Sequence, residues 1–319
     1  DARAVARELA IPLHRASFAA EYRERVFQHF LAEHRAGRTP NPDVLCNREI
    51  KFGVALRHAR RLGAAAFATG HYARILRRPA GAELHKARDA AKDQSYFLHA
   101  VDIGQLGETL MPIGELEKGA VRERARQAGL PVFDKPDSTG ICFIGERPFR
   151  EFLGRFLPNQ PGPIESADGE RLGAHVGLAF YTLGQREGLK IGGRPGRAEL
   201  PWFVAGKDPA RNALIVVQGH DHPLLFGAAL TTGPLHWLSE PRGEPFPCAV
   251  KVRYRQADQP ALLEPRTDGG ARITFESPQR AVTPGQYAVV YVGDRCLGGA
   301  VIENIETCQA LRAEKTSGG

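Results

Sequence analysis

No stretch of 18 or more apolar residues occurs in this 319-residue chain, which excludes a transmembrane helix. The chain opens Asp1-Ala2-Arg3 with no methionine, no apolar leader core and no cleavage pattern, so no secretory signal is expected. That opening also reads as a helix entered midway. A CxxC pair is missing, and the five cysteines, Cys46, Cys142, Cys248, Cys296 and Cys308, are odd in number. Together these absences point to a reducing, cytoplasmic setting and away from a disulfide scaffold. They also speak against a zinc knuckle, whose ligands come in close pairs, and no metal site is expected. No internal repeat and no low-complexity tract interrupts the sequence.

What is present fits a globular protein. Apolar residues make up 42% and charged residues 25%, enough for a buried core, and the length suggests two or three domains at roughly 150 residues each. The formal net charge is +7. Lysine and arginine outnumber aspartate and glutamate 25 to 18 over residues 1–150 and match them 18 to 18 over 151–319, so the whole excess lies in the first half. A basic surface favours polyanions, nucleic acid first; a plain solubility charge is the alternative.

Residues 1–150 read as alternating helix and strand. A helix over 21–36 places Val26, Phe27, Phe30 and Leu31 on one stripe and stops at Gly37. A second helix covers 50–62. Ala64 to Ala68 then reads as a short buried strand ending in Thr69-Gly70-His71, and a further helix spans 120–128, closed by Gly129 and Pro131. This alternation predicts a parallel α/β sheet, with its ligand site at the carboxyl ends of strands, where Gly70 and His71 fall. From about residue 151 glycine and proline become dense and strands come in short pairs. Residues 201–206 and 212–218 read as strand, turn, strand, and the region from 223 onward as a small all-β barrel.

Four segments carry candidate chemistry. The first runs from Gly37 to Phe52. Two prolines stiffen the backbone before Cys46, and Asn47 reads as the cap of the following helix. A thiol just ahead of a helix start, with Arg48 and Lys51 nearby, is placed to ionise, while Asp43 opposes that and reads as a ligand or acid/base group. A loop cysteine without a role is the alternative. The second is 134–145, where Cys142 stands among apolar neighbours between glycines. Either a buried inert thiol or a swinging reactive one fits. One such thiol can carry a sulfane sulfur that the other attacks. Cys248 and Cys296 are most simply packing residues. The third, Lys92-Asp93-Gln94, offers donors and acceptors to a sugar-phosphate or a base edge, or is a solvated turn. The fourth, 248–256, splits as a strand with Lys251, Arg253 and Arg255 on one face, a phosphate-binding stripe or a solvated face. The turn 283–286 could present Gln286 to a base.

The stretches TPNPDVLCNREIKF (39–52), TGHYAR (69–74), KDQSYFL (92–98), DSTGICFIGERPFREFL (137–153), YTLGQREGL (181–189), WFVAGKD (202–208), VRYRQ (252–256) and VTPGQ (282–286) together resemble the tRNA-specific 2-thiouridylases. They stand in family order over nearly the whole chain. The resemblance implies an α/β nucleotide-binding domain of the PP-loop (HUP-like) kind over 1–150, truncated at its N-terminus. A central β-rich tRNA-binding domain over 151–222 and a C-terminal β-barrel over 223–310 would follow. It implies an enzyme that replaces the C2 oxygen of a wobble uridine with sulfur. ATP, with Mg2+, would adenylate that oxygen. Cys142 would carry a persulfide, and Cys46 would be the other catalytic thiol, releasing sulfide or taking Cys142 into a disulfide. Asn41, Pro42 and Asp43 match positions that hold the target base, Asp43 also as acid/base, and Gly70 matches a nucleotide contact. His71, Lys92, Asp93, Gln94, Arg253, Tyr254 and Gln286 match tRNA contacts. The implied partners are tRNA and a persulfide donor, either a cysteine desulfurase or a sulfur-relay protein, with no membrane.

One departure stands against the family pattern. No SGGxDS phosphate loop occurs in these residues, so the chain is expected to begin after it. A non-catalytic RNA-binding remnant is therefore a competing reading. A thiol-disulfide oxidoreductase is a third, disfavoured by the missing CxxC.

Overall fold

The computed structural model describes residues 1–136, 149–192 and 199–308. After a short helix α1 (Ala2–Glu8), one helical run α2 covers 19–35, with wider π-type turns over Arg23–Phe27. Its stripe behaves as the 3.6 spacing requires, with Val26, Phe30 and Leu31 buried and Phe27 packed beside them. The run ends in a Schellman turn: Gly37 takes φ +76°, its N–H reaches the His34 carbonyl and the Arg38 N–H reaches Glu33. The same closure, with Gly63 and Gly129, ends the next helical run, α3 (42–61), and the later α6 (Lys118–Gln127).

Between these helices the chain makes little of the expected parallel sheet. Strand β1 is only Phe67–Ala68 and pairs in parallel with β4 (Thr109–Leu110), while Ala64, Ala65 and Ala66 are exposed. The buried strand expected over 64–68 is thus reduced to its last two residues, because no second neighbour among the described residues covers it. The hairpin β2 (Ala73–Arg78) and β3 (Gly81–Lys86) turns the other way and joins the C-terminal barrel, through His85 opposite Arg295. Helices α4 (Ser95–Leu98) and α5 (Ile103–Gly107) pack beneath it.

After α7 (Phe149–Gly154), the middle region is a four-stranded sheet in the order β6 (Arg171–His175), β5 (Gly162–Ser166), β8 (Ala213–Gln218), β7 (Trp202–Asp208), antiparallel except for the β5–β8 pair. Ile164, Leu172, Val204, Leu214 and Val216 form its interior. The C-terminal region is a closed barrel. Its order is β14 (Tyr287–Val292), β11 (Phe246–Lys251), β12 (Gln259–Pro265), β13 (Ala271–Arg280), β9 (Phe226–Thr232) and β15 (Arg295–Thr307). Strand β14 pairs back on β15, and a two-residue β10 (His236–Trp237) lies against β15. Closure removes the free edges a six-stranded sheet would expose. Leu84, Tyr96 and Leu98 from the first region share one cluster with Val289, Tyr291 and Cys296 of the barrel, so these two regions have a common interior. No helix among the described residues is long and apolar enough to cross a membrane.

Candidate active segment and nucleic-acid interface

Helix α3 begins earlier than the cap at Asn47 would place it. Asn41 is the cap: its Oδ1 accepts from the Asp43 N–H at 3.2 Å, and Pro42 occupies the first helical position. Cys46 therefore sits one turn inside the helix rather than ahead of it, at the start of a π-type stretch, Cys46–Ala55, a geometry frequent at functional sites. It is 2% exposed and packs with Tyr22, Val26, Leu45 and Ile50. Asp43 is half-buried in the turn before it, and Asn47 is buried, donating through Nδ2 to the Phe97 carbonyl at 3.2 Å.

A second group gathers around that Phe97. The Tyr254 ring lies 4.4 Å from the Phe97 ring. Gln94 is tied to Tyr72 in both directions: its Oε1 accepts from the Tyr72 N–H at 2.9 Å and its own N–H donates to the Tyr72 carbonyl at 2.7 Å. The Asp93 carboxylate is buried and faces inward. It accepts from the N–H groups of Ala87 and Ser95, from the Ser95 hydroxyl at 2.9 Å and from Lys251 Nζ at 3.4 Å. Lys92 is half-exposed beside it. His71 is buried, its Nδ1 3.0 Å from Thr69 Oγ1. Burial, helped by the Lys51 charge, pushes its pKa down to about 3, so it is a neutral imidazole at pH 7. Gly70, at the end of β1, is exposed and has open space where a side chain would project.

The three-cation stripe does not form. Strand β11 ends at Lys251, and the chain turns over 252–255 with the Val252 N–H on Gln256 Oε1 and Arg255 at φ +63°. Lys251 is buried between Asp93 and Asp258. Arg253 donates to the Ala281 carbonyl, and burial with the nearby Arg280 lowers its pKa. Only Arg255 of the three is exposed. It lines, with Lys86, Arg88, Asp93, Lys251 and Asp258, a cleft of about 840 Å³.

Gln286 follows the predicted turn, but its Nε2 donates to the Thr39 carbonyl at 2.9 Å. The structure thus gathers Asn41, Pro42, Asp43, Cys46 and Gln286 along one segment. Tyr254 packs on Phe97, Asp93 and Gln94 hold the turn just before it, His71 packs against Phe52 and Arg253 bonds Ala281, while Asn47 ties the Cys46 helix to the Phe97 backbone. Cys142 lies outside the described residues, so its distance from Cys46 is not part of this geometry. Cys296 is in the shared core and Cys248 half-buried in the barrel, and burial pushes their thiols up to about 12 and about 11. Sequence reasoning missed Phe97 and Lys207. Both stand inside motifs quoted above, Lys207 in WFVAGKD and Phe97 in KDQSYFL, which were the available signals. Among the described residues no group of three or more metal-ligating side chains gathers.

Comparison with known proteins gives three family matches in chain order. Residues 1–146 match a family described as tRNA methyl transferase HUP domain, residues 150–218 its PRC-barrel domain, and residues 228–302 the aminomethyltransferase beta-barrel domain. The tRNA-specific 2-thiouridylase MnmA of Burkholderia thailandensis is 54% identical over 314 residues, covering 96% of this chain and 81% of that protein. The protein of the same name from Chromohalobacter salexigens is 55% identical over 305 residues, covering 95% of this chain and 79% of that protein. At that identity and coverage, with all three regions matched in order, the chain belongs to the tRNA-specific 2-thiouridylase (MnmA) family.

Proposed function

We propose that this chain is a cytoplasmic tRNA-uridine 2-sulfurtransferase that places sulfur on C2 of a wobble uridine, with Cys46 and Cys142 as the two catalytic thiols. The observation that carries the reading is the direct tie between the Cys46 helix and the expected RNA contacts. Asn47, next to Cys46, bonds the Phe97 backbone, and Tyr254 packs on the Phe97 ring.

Chemistry at C2 needs an unstacked base, which an anticodon loop supplies cheaply. Tyr254 offers a stacking face, and Asn41 with Asp43 stands one turn before Cys46, where a flipped base would be held. Arg255 and Lys92 face the phosphate backbone. Asp93 acts from behind: its carboxylate orders the turn that presents Lys92 and anchors Lys251. His71 contributes as a neutral hydrogen-bonding group.

In this reading a bound ATP would supply the activation that makes the C2 oxygen a leaving group. Gly70 would offer open surface to the nucleoside, and no phosphate-cradling loop stands among the described residues. The terminal sulfur of a Cys142 persulfide bonds to C2 as the activated oxygen leaves. The Cys46 thiolate then attacks the Cys142 sulfur, the S–S bond to the transferred sulfur breaks, and a Cys46–Cys142 disulfide remains. A cellular thiol reductant resets the pair with two electrons, and a cysteine desulfurase or sulfur-relay protein reloads Cys142. Holding base and persulfide together is worth roughly 7–11 kcal/mol of barrier.

The test uses the chain extended at its N-terminus by the corresponding segment of the Burkholderia thailandensis relative. With tRNA, ATP, Mg2+ and a persulfide source it should form 2-thiouridine, and Cys46→Ser and Cys142→Ser should each abolish it. Retained thiolation in either single variant would overturn the two-thiol reading. Tight tRNA binding with no thiolation at all would favour the RNA-binding remnant.

A further inference from the structure

The segment that leads into the Cys46 helix is held from two sides. On one side stands Lys207, near the end of β7 in the middle region, whose Nζ donates to the Gly37 carbonyl at 2.8 Å. Gly37 closes α2, so this ammonium meets the partial negative charge of a helix C-terminus. Lys207 is largely buried and has no carboxylate within ion-pair reach among the described residues; burial pushes its pKa down to about 8. An apolar side chain of similar length would fill that space without the cost of burying a charge. What the lysine adds is one directed, charge-assisted bond to one carbonyl. Two further contacts from the same region flank it, His34 Nδ1 to the Ala179 carbonyl at 3.2 Å and Thr39 Oγ1 to Thr182 Oγ1 at 3.5 Å.

On the other side stands the barrel turn 283–286. The Thr39 N–H donates to the Pro284 carbonyl at 3.0 Å, and Gln286 returns a bond to the Thr39 carbonyl. Gly285, at φ +91°, lets the two backbones meet: a Cβ there would lie 3.0 Å from the Thr39 nitrogen and from Arg38 Cβ. Gly37 and Thr39 are thus fixed by different regions of the molecule, and Asn41, the cap of α3, follows at once.

We infer that Lys207 is a positioning residue for the Cys46 helix, fixing through the Gly37 carbonyl where Asn41 starts α3 and hence where Cys46 rests. Cys46 matters as a catalytic thiol only on the reading above; the brace itself does not depend on it.

The experiment measures alkylation of Cys46 by iodoacetamide in the reduced 319-residue chain, read by peptide mass, with Cys248 as internal control. Lys207→Met should speed Cys46 alkylation about tenfold, the loss expected for one charge-assisted bond. Lys207→Arg, which keeps a cationic donor, should stay within about threefold of the parent rate. The Cys248 rate should not change, and the Kd for tRNA, to which Asn41 and Asp43 contribute beside many other contacts, should move far less than the Cys46 rate. Should Lys207→Met fail to fold, Lys207→Gln gives the same reading. An unchanged Cys46 rate overturns the inference. Equal acceleration in the methionine and arginine variants, or parallel acceleration of Cys248, makes Lys207 a general packing residue and overturns it too. A weakened Kd with the Cys46 rate unmoved would make Lys207 an RNA contact instead. Because none of these readouts requires thiolation, they stand or fall apart from the proposed activity.

Discussion

Cys46 and Cys296 are buried to the same degree, 2% and 1% exposed, yet they sit in unlike surroundings. Cys296 lies on β15 opposite Tyr291 of β14 and shares its core with Val289 in a closed barrel. Cys46 lies on a helix with widened turns, entered through a segment that side chains from two other regions hold by single bonds. Exposure alone does not separate the proposed catalytic thiol from a packing one. What separates them is the setting of the sulfur: Cys296 stands in a barrel strand opposite Tyr291, whereas Cys46 stands in a widened helix whose entry is braced by both the middle region and the barrel.

The sharpest way to break this comparison is to exchange the consequences. Cys46→Ser should cost at least about a thousandfold in thiolation rate with little change in Tm, as loss of a nucleophile does. Cys296→Ser should instead leave the rate within a few-fold and lower stability. If Cys46→Ser unfolds the protein and Cys296→Ser stops thiolation, the contrast is inverted. Next in size is the seam between the regions. Asp93→Ala strips a buried acceptor from Lys251, Ser95 and Ala87 and should destabilise by about 3–5 kcal/mol in urea unfolding. A loss under about 1 kcal/mol would mean that Asp93 faces RNA and not the interior.

Acid should probe the same seam. Burial lowers His71 to about 3, and His34 and His99 to about 4, from an ordinary 6.5. A group with a depressed folded pKa contributes stability that is fully present above its unfolded value and is lost as pH falls through the folded one. Stability should therefore decline from pH 6.5 down to about 4, by about 1.4 kcal/mol per pH unit for each histidine that stays neutral. His99→Phe should flatten that slope; an unchanged slope would remove His99 from the account. The smallest effect is expected at Arg255, where replacement by Gln should weaken tRNA binding modestly and reduce the salt slope by about one. An unaltered slope would mean that the exposed arginine does not meet a phosphate.

Much of this was legible in the residues. The helices read over 21–36 and 120–128 stand at 19–35 and 118–127, the first marked by its apolar stripe and both by their closing glycines, and the β7–β8 pair and the turn before Gln286 follow from Gly and Pro placement. The start of α3 was legible but misread: Asn41 and Asn47 can both cap, and Pro42 at the first helical position decides for Asn41. The cation stripe failed for a reason no local pattern carries. Lys251 finds Asp93, far away in the chain, and a buried ion pair ends its career as a surface charge. The short β1 failed because burial of an alanine run depends on neighbours that the run itself does not specify. The braces from Lys207 and Gln286 are likewise long-range facts, visible only once the regions are docked.

The interior shared by Leu84, Tyr96 and Tyr291 bears on how such a protein is made. During synthesis the first region emerges with one wall of its core still unwritten, and that wall arrives only with the last strands of the barrel. Its hairpin must wait, partly uncovered, for the far end of the polypeptide. A ribosome that stops early should therefore leave an aggregation-prone intermediate rather than a smaller working unit, and the cell's quality control should meet this fold chiefly in that unfinished state.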